Sequence, residues 1–160
     1  VAHVEGSHHV TLSVAGAQED VDFHTKILGM RFIKRTVLFD GSLPIYHLYY
    51  SNADGDPSSV VTTFPWAQAG QFGTRGTNQA REVLLSVPEG SLDFWAQRLR
   101  AHDVEVTDVE RFDQRRLAFA HPWASSTSSS RTPPTRAAAT RATACRPSTR
   151  STASTASGCT

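Results

Sequence analysis

Ser7-His8-His9-Val10-Thr11-Leu12-Ser13-Val14 is the first strand-like run of the chain, and its alternation sets the fold. A strand sends alternate side chains to opposite faces. Val10, Leu12 and Val14 therefore share one face, with His8 at its rim, while His9, Thr11 and Ser13 share the other. The apolar face calls for a helix packed beneath it. The other face puts an imidazole and two hydroxyls where an ordinary core would put aliphatics, which suits a lined cavity. Imidazole is the commonest protein ligand for a transition metal, so His9 is a candidate ligand. On this strand alone, a hydrogen-bonded core or rim histidine is the more frequent role.

The same pattern returns later in the chain. His8-His9-Val10-Thr11-Leu12-Ser13-Val14 aligns with Arg81-Glu82-Val83-Leu84-Leu85-Ser86-Val87. Each run precedes an amphipathic helix. The first is expected over 18–28, with Val21, Phe23, Ile27 and Leu28 apolar and Gly29 as its stop. The second is expected over 91–102, with Leu92, Phe94, Trp95 and Leu99 apolar and Ser91 as N-cap. Strands are expected next over 31–39, 45–51 and 59–64, separated by turn residues at 40–42 and 52–57. In the second half they are expected over 104–111 and 114–121. The first unit, about 6–66, thus reads βαβββ. The second, about 78–123, reads βαββ and stops at His121-Pro122-Trp123, where its last strand should begin.

Such a duplication predicts an α+β fold of tandem βαβββ units, the second incomplete. Its sheets should be curved, with helices outside and a concave polar face inside. His9, Thr11 and Ser13 then line the concavity. Glu82 is the counterpart of His9, and is read as a solvated strand-end acid rather than a ligand.

Composition changes abruptly past residue 123. From Ala124 to Thr160 the chain uses only Ala, Ser, Thr, Arg, Pro, Cys and Gly. Such a stretch cannot bury enough apolar surface to offset its entropy, so 124–160 is expected to be a disordered low-complexity tail beside a folded domain spanning 1–123. A Ser/Thr/Pro stalk and a natural linker share this vocabulary. So does GC-rich DNA read out of frame, the reading preferred here because the change falls inside a folding unit. The tail holds five arginines and no acid, so removing it from the 16 Lys+Arg leaves 11 against 15 Asp+Glu, a body of about −4 inside a chain of +1. Dispersed arginines without interleaved aromatics do not predict specific nucleic-acid binding. Both cysteines, Cys145 and Cys159, lie in the tail, so the body has neither a disulfide framework nor a zinc ribbon. No apolar run reaches membrane-spanning length and no signal-peptide core is present, so a cytoplasmic location is expected.

Several segments together resemble the vicinal oxygen chelate superfamily, which holds glyoxalase I, bleomycin-resistance proteins and extradiol dioxygenases. They are His8-His9-Val10-Thr11 and Phe23-His24-Thr25-Lys26-Ile27-Leu28-Gly29-Met30-Arg31. Phe32-Ile33-Lys34-Arg35-Thr36, Asp40-Gly41-Ser42-Leu43-Pro44-Ile45-Tyr46-His47-Leu48-Tyr49-Tyr50 and Thr62-Thr63-Phe64-Pro65-Trp66 are similar to one subgroup, the iron-dependent dioxygenases that cleave para-hydroquinones and chlorohydroquinones. The resemblance covers roughly 6–122 and none of the tail. It implies a four-unit protein in which two histidines and a glutamate hold Fe(II), or Mn(II), and leave positions open for substrate oxygen and O2. His9 would be the first ligand, and His8 would orient it or touch the substrate. The other two ligands belong to a second half that has no matching segment here. The implied partners are a small aromatic diol and O2, and homo-oligomerisation is left open. The implied activity is ring cleavage, with this chain inactive unless a partner chain supplies the missing ligands.

Two rival readings come from other classes. A glyoxalase-like or thiol-transferase metalloenzyme completed by homodimerisation would need a carboxylate on the last strand of a unit, and Val60 to Phe64 offers none. A bleomycin-resistance-like binding module would bind a ligand without metal. Gly70-Gln71-Phe72-Gly73-Thr74-Arg75-Gly76 lacks a phosphate-loop ending and reads as a linker. Tyr46, His47, Tyr49 and Tyr50 suit pocket lining and barrel packing equally. His24 and His102 are expected to be exposed on helices, His121 to serve a turn and His3 to fray. No H-E-x-x-H motif, G-x-S-x-G elbow or body cysteine offers another chemistry.

Overall fold

A computed structural model describes residues 6–38, 42–72, 77–78 and 82–121, together with the strand at 136–141. The first unit runs β1 (His9–Val14), α1 (Ala17–Asp22) continued by a wide π-helical turn (Phe23–Ile27), β2 (Arg31–Val37), β3 (Tyr46–Ser51) and β4 (Val60–Pro65). A short 3-10 turn (Trp66–Ala69) follows, and Gly70 closes it in the left-handed region at φ 66°, where a Cβ is disfavoured. The second unit runs β5 (Glu82–Val87), α2 (Leu92–Ala101), β6 (Val106–Arg111), β7 (Gln114–Ala120) and β8 (Arg136–Arg141). Strand and helix positions agree with the expectations to within a few residues. Residues 39–41 of the expected first-half strand and turn, and His3, lie outside the described residues.

The two sheets share one topology, β1-β4-β3-β2 and β5-β8-β7-β6. In each, the first strand pairs in parallel with the last, and that last strand pairs antiparallel with the third. The duplication inferred from the sequence is therefore a structural repeat.

One expectation is corrected here. The second sheet does not end at β7: the backbone of Arg136–Arg141 fills its fourth place, from Glu82 opposite Arg136 to Val87 opposite Arg141. Composition argued only from apolar burial. It overlooked that β5 and β7 otherwise leave a slot of unpaired N–H and C=O groups, which any extended segment can satisfy through its backbone. The remainder of the expected disordered tail, 124–135 and 142–160, lies outside the described residues.

Helical spacing at 20, 23, 24 and 27 turns α1 and its π turn toward the rest of the protein. Phe23 packs there with Leu99 of α2, Val104 and Phe119 of β7, all buried, and Ile27, Leu28 and Val106 border this cluster. The core is thus shared between the units. Arg98 of α2 fastens it, donating from Nε to the Ile27 carbonyl at 2.7 Å and from Nη2 to that of Lys26 at 2.6 Å. A cation at the carbonyl end of a helix also meets the negative end of its dipole. A second cluster, Val87, Leu92, Ala96 and Leu117, seats α2 on its own sheet. β2 is different: it is one edge of the first sheet, and all seven of its residues are exposed.

Candidate functional site

Strand alternation and register settle which residues share the face of the first sheet that carries His9, Thr11 and Ser13. Thr11 lies opposite Thr62 and Ser13 opposite Phe64, while Tyr49 lies opposite Thr62 and Lys34 opposite Tyr49. Hydrogen bonds cross this face: the Thr11 and Thr62 hydroxyls meet at 2.8 Å, and Trp66 Nε1 donates to Ser13 Oγ at 3.2 Å. His47 stacks on Phe64 with ring centroids 4.2 Å apart, and its Nδ1 lies 2.8 Å from the Tyr49 hydroxyl. Lys34 Nζ sits 4.5 Å from the centre of the Tyr49 ring. Burial, with the charges of His9 and Lys34 adding to it, holds the His47 pKa below that of an ordinary histidine. His47 and Tyr49 are therefore on the face of His9 and Thr11, whereas Tyr50 is wholly buried on the other.

His9 is exposed at the start of this face, and its Nδ1 lies 2.9 Å from Nδ1 of His8. If His9 supplies the proton of that bond, its Nε2 keeps a lone pair pointed away from His8. This is the arrangement in which a neighbour fixes the tautomer of a metal-binding imidazole. His9 also lines a cleft of about 690 Å³, which reaches from Ser7 and Val10 to Val83 and Val87 of β5 and to Trp95 of α2. The residues present do not complete a metal site around His9: among the described residues, it joins no group of three potential ligands. Glu82 is held by Arg111 Nη1 at 2.7 Å, in keeping with a strand-end acid.

The helix-facing side of the same sheet holds a second cluster that the sequence reading did not assemble. Asp20 is completely buried. Its Oδ2 accepts hydrogen bonds from the Tyr50 hydroxyl at 2.7 Å and the Thr63 hydroxyl at 2.5 Å. Its Oδ1 lies 3.1 Å from His121 Nε2 and 3.2 Å from His24 Nδ1. Burial by itself would raise the Asp20 pKa, but the hydrogen bonds from His121, His24 and Thr63 and the charge of His24 outweigh it and hold the carboxyl well below its ordinary value. Burial and the adjacent carboxylate push the Tyr50 phenol up.

Two expectations change with this cluster. His24 is only 4% exposed, not a surface residue, because the π turn aims it inward to stack on Tyr50 at 4.2 Å. His121 is not merely a turn residue, since it joins the second unit to Asp20 of the first and packs on Phe23 at 4.4 Å. His102 is exposed as expected. One clue was available in the sequence: Asp20 and His24 fall on the same helical stripe as Phe23 and Ile27, so two polar residues interrupt a core-facing surface.

Comparison with known proteins agrees with this fold. Residues 6–123 match the model of the Glyoxalase/Bleomycin resistance protein/Dioxygenase superfamily. Over 120 residues the chain is 46% identical to the chlorohydroquinone/hydroquinone 1,2-dioxygenase of Sphingobium indicum, covering 74% of this chain and 37% of that one. It is 43% identical to the provisionally named ring-cleaving dioxygenase MhqE of Bacillus subtilis over 115 residues, which is 72% of this chain and 37% of the relative. A crystal structure of a provisionally named dioxygenase from Bacillus subtilis superposes with a TM-score of 0.73 at 34% identity, covering 86% of this chain and 40% of that one. The chain spans somewhat over a third of the length of the curated relatives it matches. With its paired units and this match, the chain belongs to the glyoxalase/bleomycin resistance protein/dioxygenase superfamily.

Proposed function

We propose that this chain is the N-terminal part of a ring-cleaving dioxygenase that opens hydroquinone-type rings with O2 at a non-haem Fe(II), and that alone it is inactive. The observation that carries the reading is the 46% identity over 120 residues to a chlorohydroquinone/hydroquinone dioxygenase, beside a superfamily match over residues 6–123 that includes His9. In this reading His9 ligates through Nε2, and His8 holds it in the tautomer that leaves Nε2 free. The same reading rests a small aromatic diol on the polar and aromatic surface of Thr11, His47, Tyr49 and Phe64. One imidazole does not hold Fe(II) usefully, and the two-histidine, one-carboxylate set that suits such chemistry is not gathered around His9.

Two measurements test the two parts of the reading. The purified 160-residue chain is expected to take up no oxygen with chlorohydroquinone, and turnover would overturn its inactivity. Residues 1–123 grafted in place of the matching segment of the Sphingobium enzyme are expected to support ring cleavage, and His9→Ala in that graft to abolish it. An active His9→Ala graft would remove His9 from the metal centre.

The aromatic character of the face favours one other reading. With His47 stacked on Phe64 and Trp66 anchored to Ser13, it could retain a planar ligand without metal. Titration of a planar aromatic into the isolated, chelator-treated chain separates the two: a metal-free module retains the ligand, whereas a face that needs the complete metal centre to hold a diol does not.

A further inference from the structure

We propose that Asp20, His24 and His121 form a second divalent-cation site, one that clasps the two units together and is separate from the face bearing His9. Their three ligand atoms lie within 4.8 Å of one another, and among the described residues no other such group occurs. Two imidazoles and one carboxylate suit zinc or a neighbouring first-row ion. Around an ion with bonds of about 2.0–2.1 Å in tetrahedral geometry, adjacent donor atoms sit roughly 3.4 Å apart. The spacings from Asp20 Oδ1, 3.1 Å to His121 Nε2 and 3.2 Å to His24 Nδ1, are close to that, while the two nitrogens, within 4.8 Å of each other, draw together around the ion.

The surroundings favour an ion over a simple hydrogen-bonded junction in three respects. The Tyr50 and Thr63 hydroxyls both hold Oδ2 and leave Oδ1 to the two histidines, the outer support that metal-binding carboxylates commonly receive. Both imidazoles are fixed by rings, His24 on Tyr50 and His121 on Phe23. His24 also stands on a π turn, a helix irregularity frequent at functional sites.

An incoming ion displaces N–H groups, and the protein can accommodate this. Each coordinating nitrogen gives up its proton, to the other ring nitrogen or to solvent, and presents the vacated lone pair. His24 Nδ1 then gives up its bond to the Asp20 carbonyl, which keeps the Phe23 backbone N–H as donor. Entry is through His121, the one partly exposed member of the three.

The test uses the full chain carrying His9→Ala, so that the concave face contributes no metal binding through that residue. Zinc retained after gel filtration is expected at roughly one ion per chain, with the melting temperature raised by zinc and unmoved by magnesium. His121→Gln keeps an N–H donor for Asp20 but removes the imidazole, so it is expected to stay folded and to weaken zinc binding at least about tenfold. His102→Ala, an exposed histidine, should leave binding unchanged. A folded His9→Ala chain that retains no zinc would overturn the proposal, and so would equal retention by His121→Gln. Either result would leave the cluster as a hydrogen-bonded junction only. None of these readouts depends on ring cleavage.

Discussion

His121 Nε2 lies 3.1 Å from Asp20 Oδ1, although 101 residues separate them in the chain. The contact ties the end of β7 to α1 and makes the placement of the second unit depend on a buried carboxylate of the first. Several consequences can be measured.

Replacing Asp20 by Ala strands the Tyr50 and Thr63 hydroxyls inside the protein and takes the carboxylate from both imidazoles, of which His24 keeps the backbone carbonyl of residue 20. A buried donor left unmet costs roughly 1–3 kcal/mol, so a total loss of about 3 kcal/mol is expected even with partial relaxation. Urea unfolding of the two chains measures it, and a loss below about 1 kcal/mol would show that the network contributes little to stability.

The pH dependence follows from the same group. The Asp20 carboxyl titrates lower in the folded chain than in the unfolded one. Its contribution is therefore complete above the unfolded carboxylate range and declines as pH falls below about 4. The melting temperature of the chain should drop more steeply between about pH 4 and pH 2 than that of Asp20→Ala. Parallel curves would contradict the direction of the shift.

Phe119→Ala removes an aromatic ring from the core shared by the units, where it faces Phe23 at 6.3 Å. Buried Phe-to-Ala changes typically cost about 3–5 kcal/mol. Arg98→Lys should cost less, about 1–2 kcal/mol, because lysine keeps the charge but cannot fork across the Ile27 and Lys26 carbonyls. Chemical denaturation ranks the two, and a larger effect for Arg98→Lys would reverse the account of what holds the units together.

Truncation after residue 135 deletes β8 and leaves β5 and β7 with open edges. Amide exchange in Glu82–Val87 should accelerate markedly, while β1, paired with β4, keeps its protection. Unchanged exchange in β5 would mean that β8 does not hold that edge in solution.

Much of this was legible in the sequence because it is local. Alternation in 8–14 and 81–87 exposed the two opening strands, and Gly29 and Ser91 marked helix boundaries. The partner of His24 was not legible, since its burial depends on Tyr50 from a distant strand and on a π turn that no propensity announces. His121 was missed for the same reason: a histidine before proline looks like a turn until a carboxylate from the other unit arrives. β8 was missed because apolar content was used as the measure of order, whereas its place is set by backbone pairing. His9 is different again. Its face was predictable, but the remaining ligands proposed for it are not gathered there.

β2 has a consequence for handling the protein. Among the described residues it leaves one edge of the first sheet open, with Ile33 42% and Val37 59% exposed, and a strand in that state is a template for another chain. Arg31, Lys34 and Arg35 lie along the same strand and repel a second copy arriving edge to edge. That protection is electrostatic and has a range of about 10 Å at 0.1 M salt, shrinking to about 3 Å at 1 M. The chain should therefore stay dispersed in dilute buffer and associate through β2 in concentrated salt, so that ionic strength governs its colloidal behaviour.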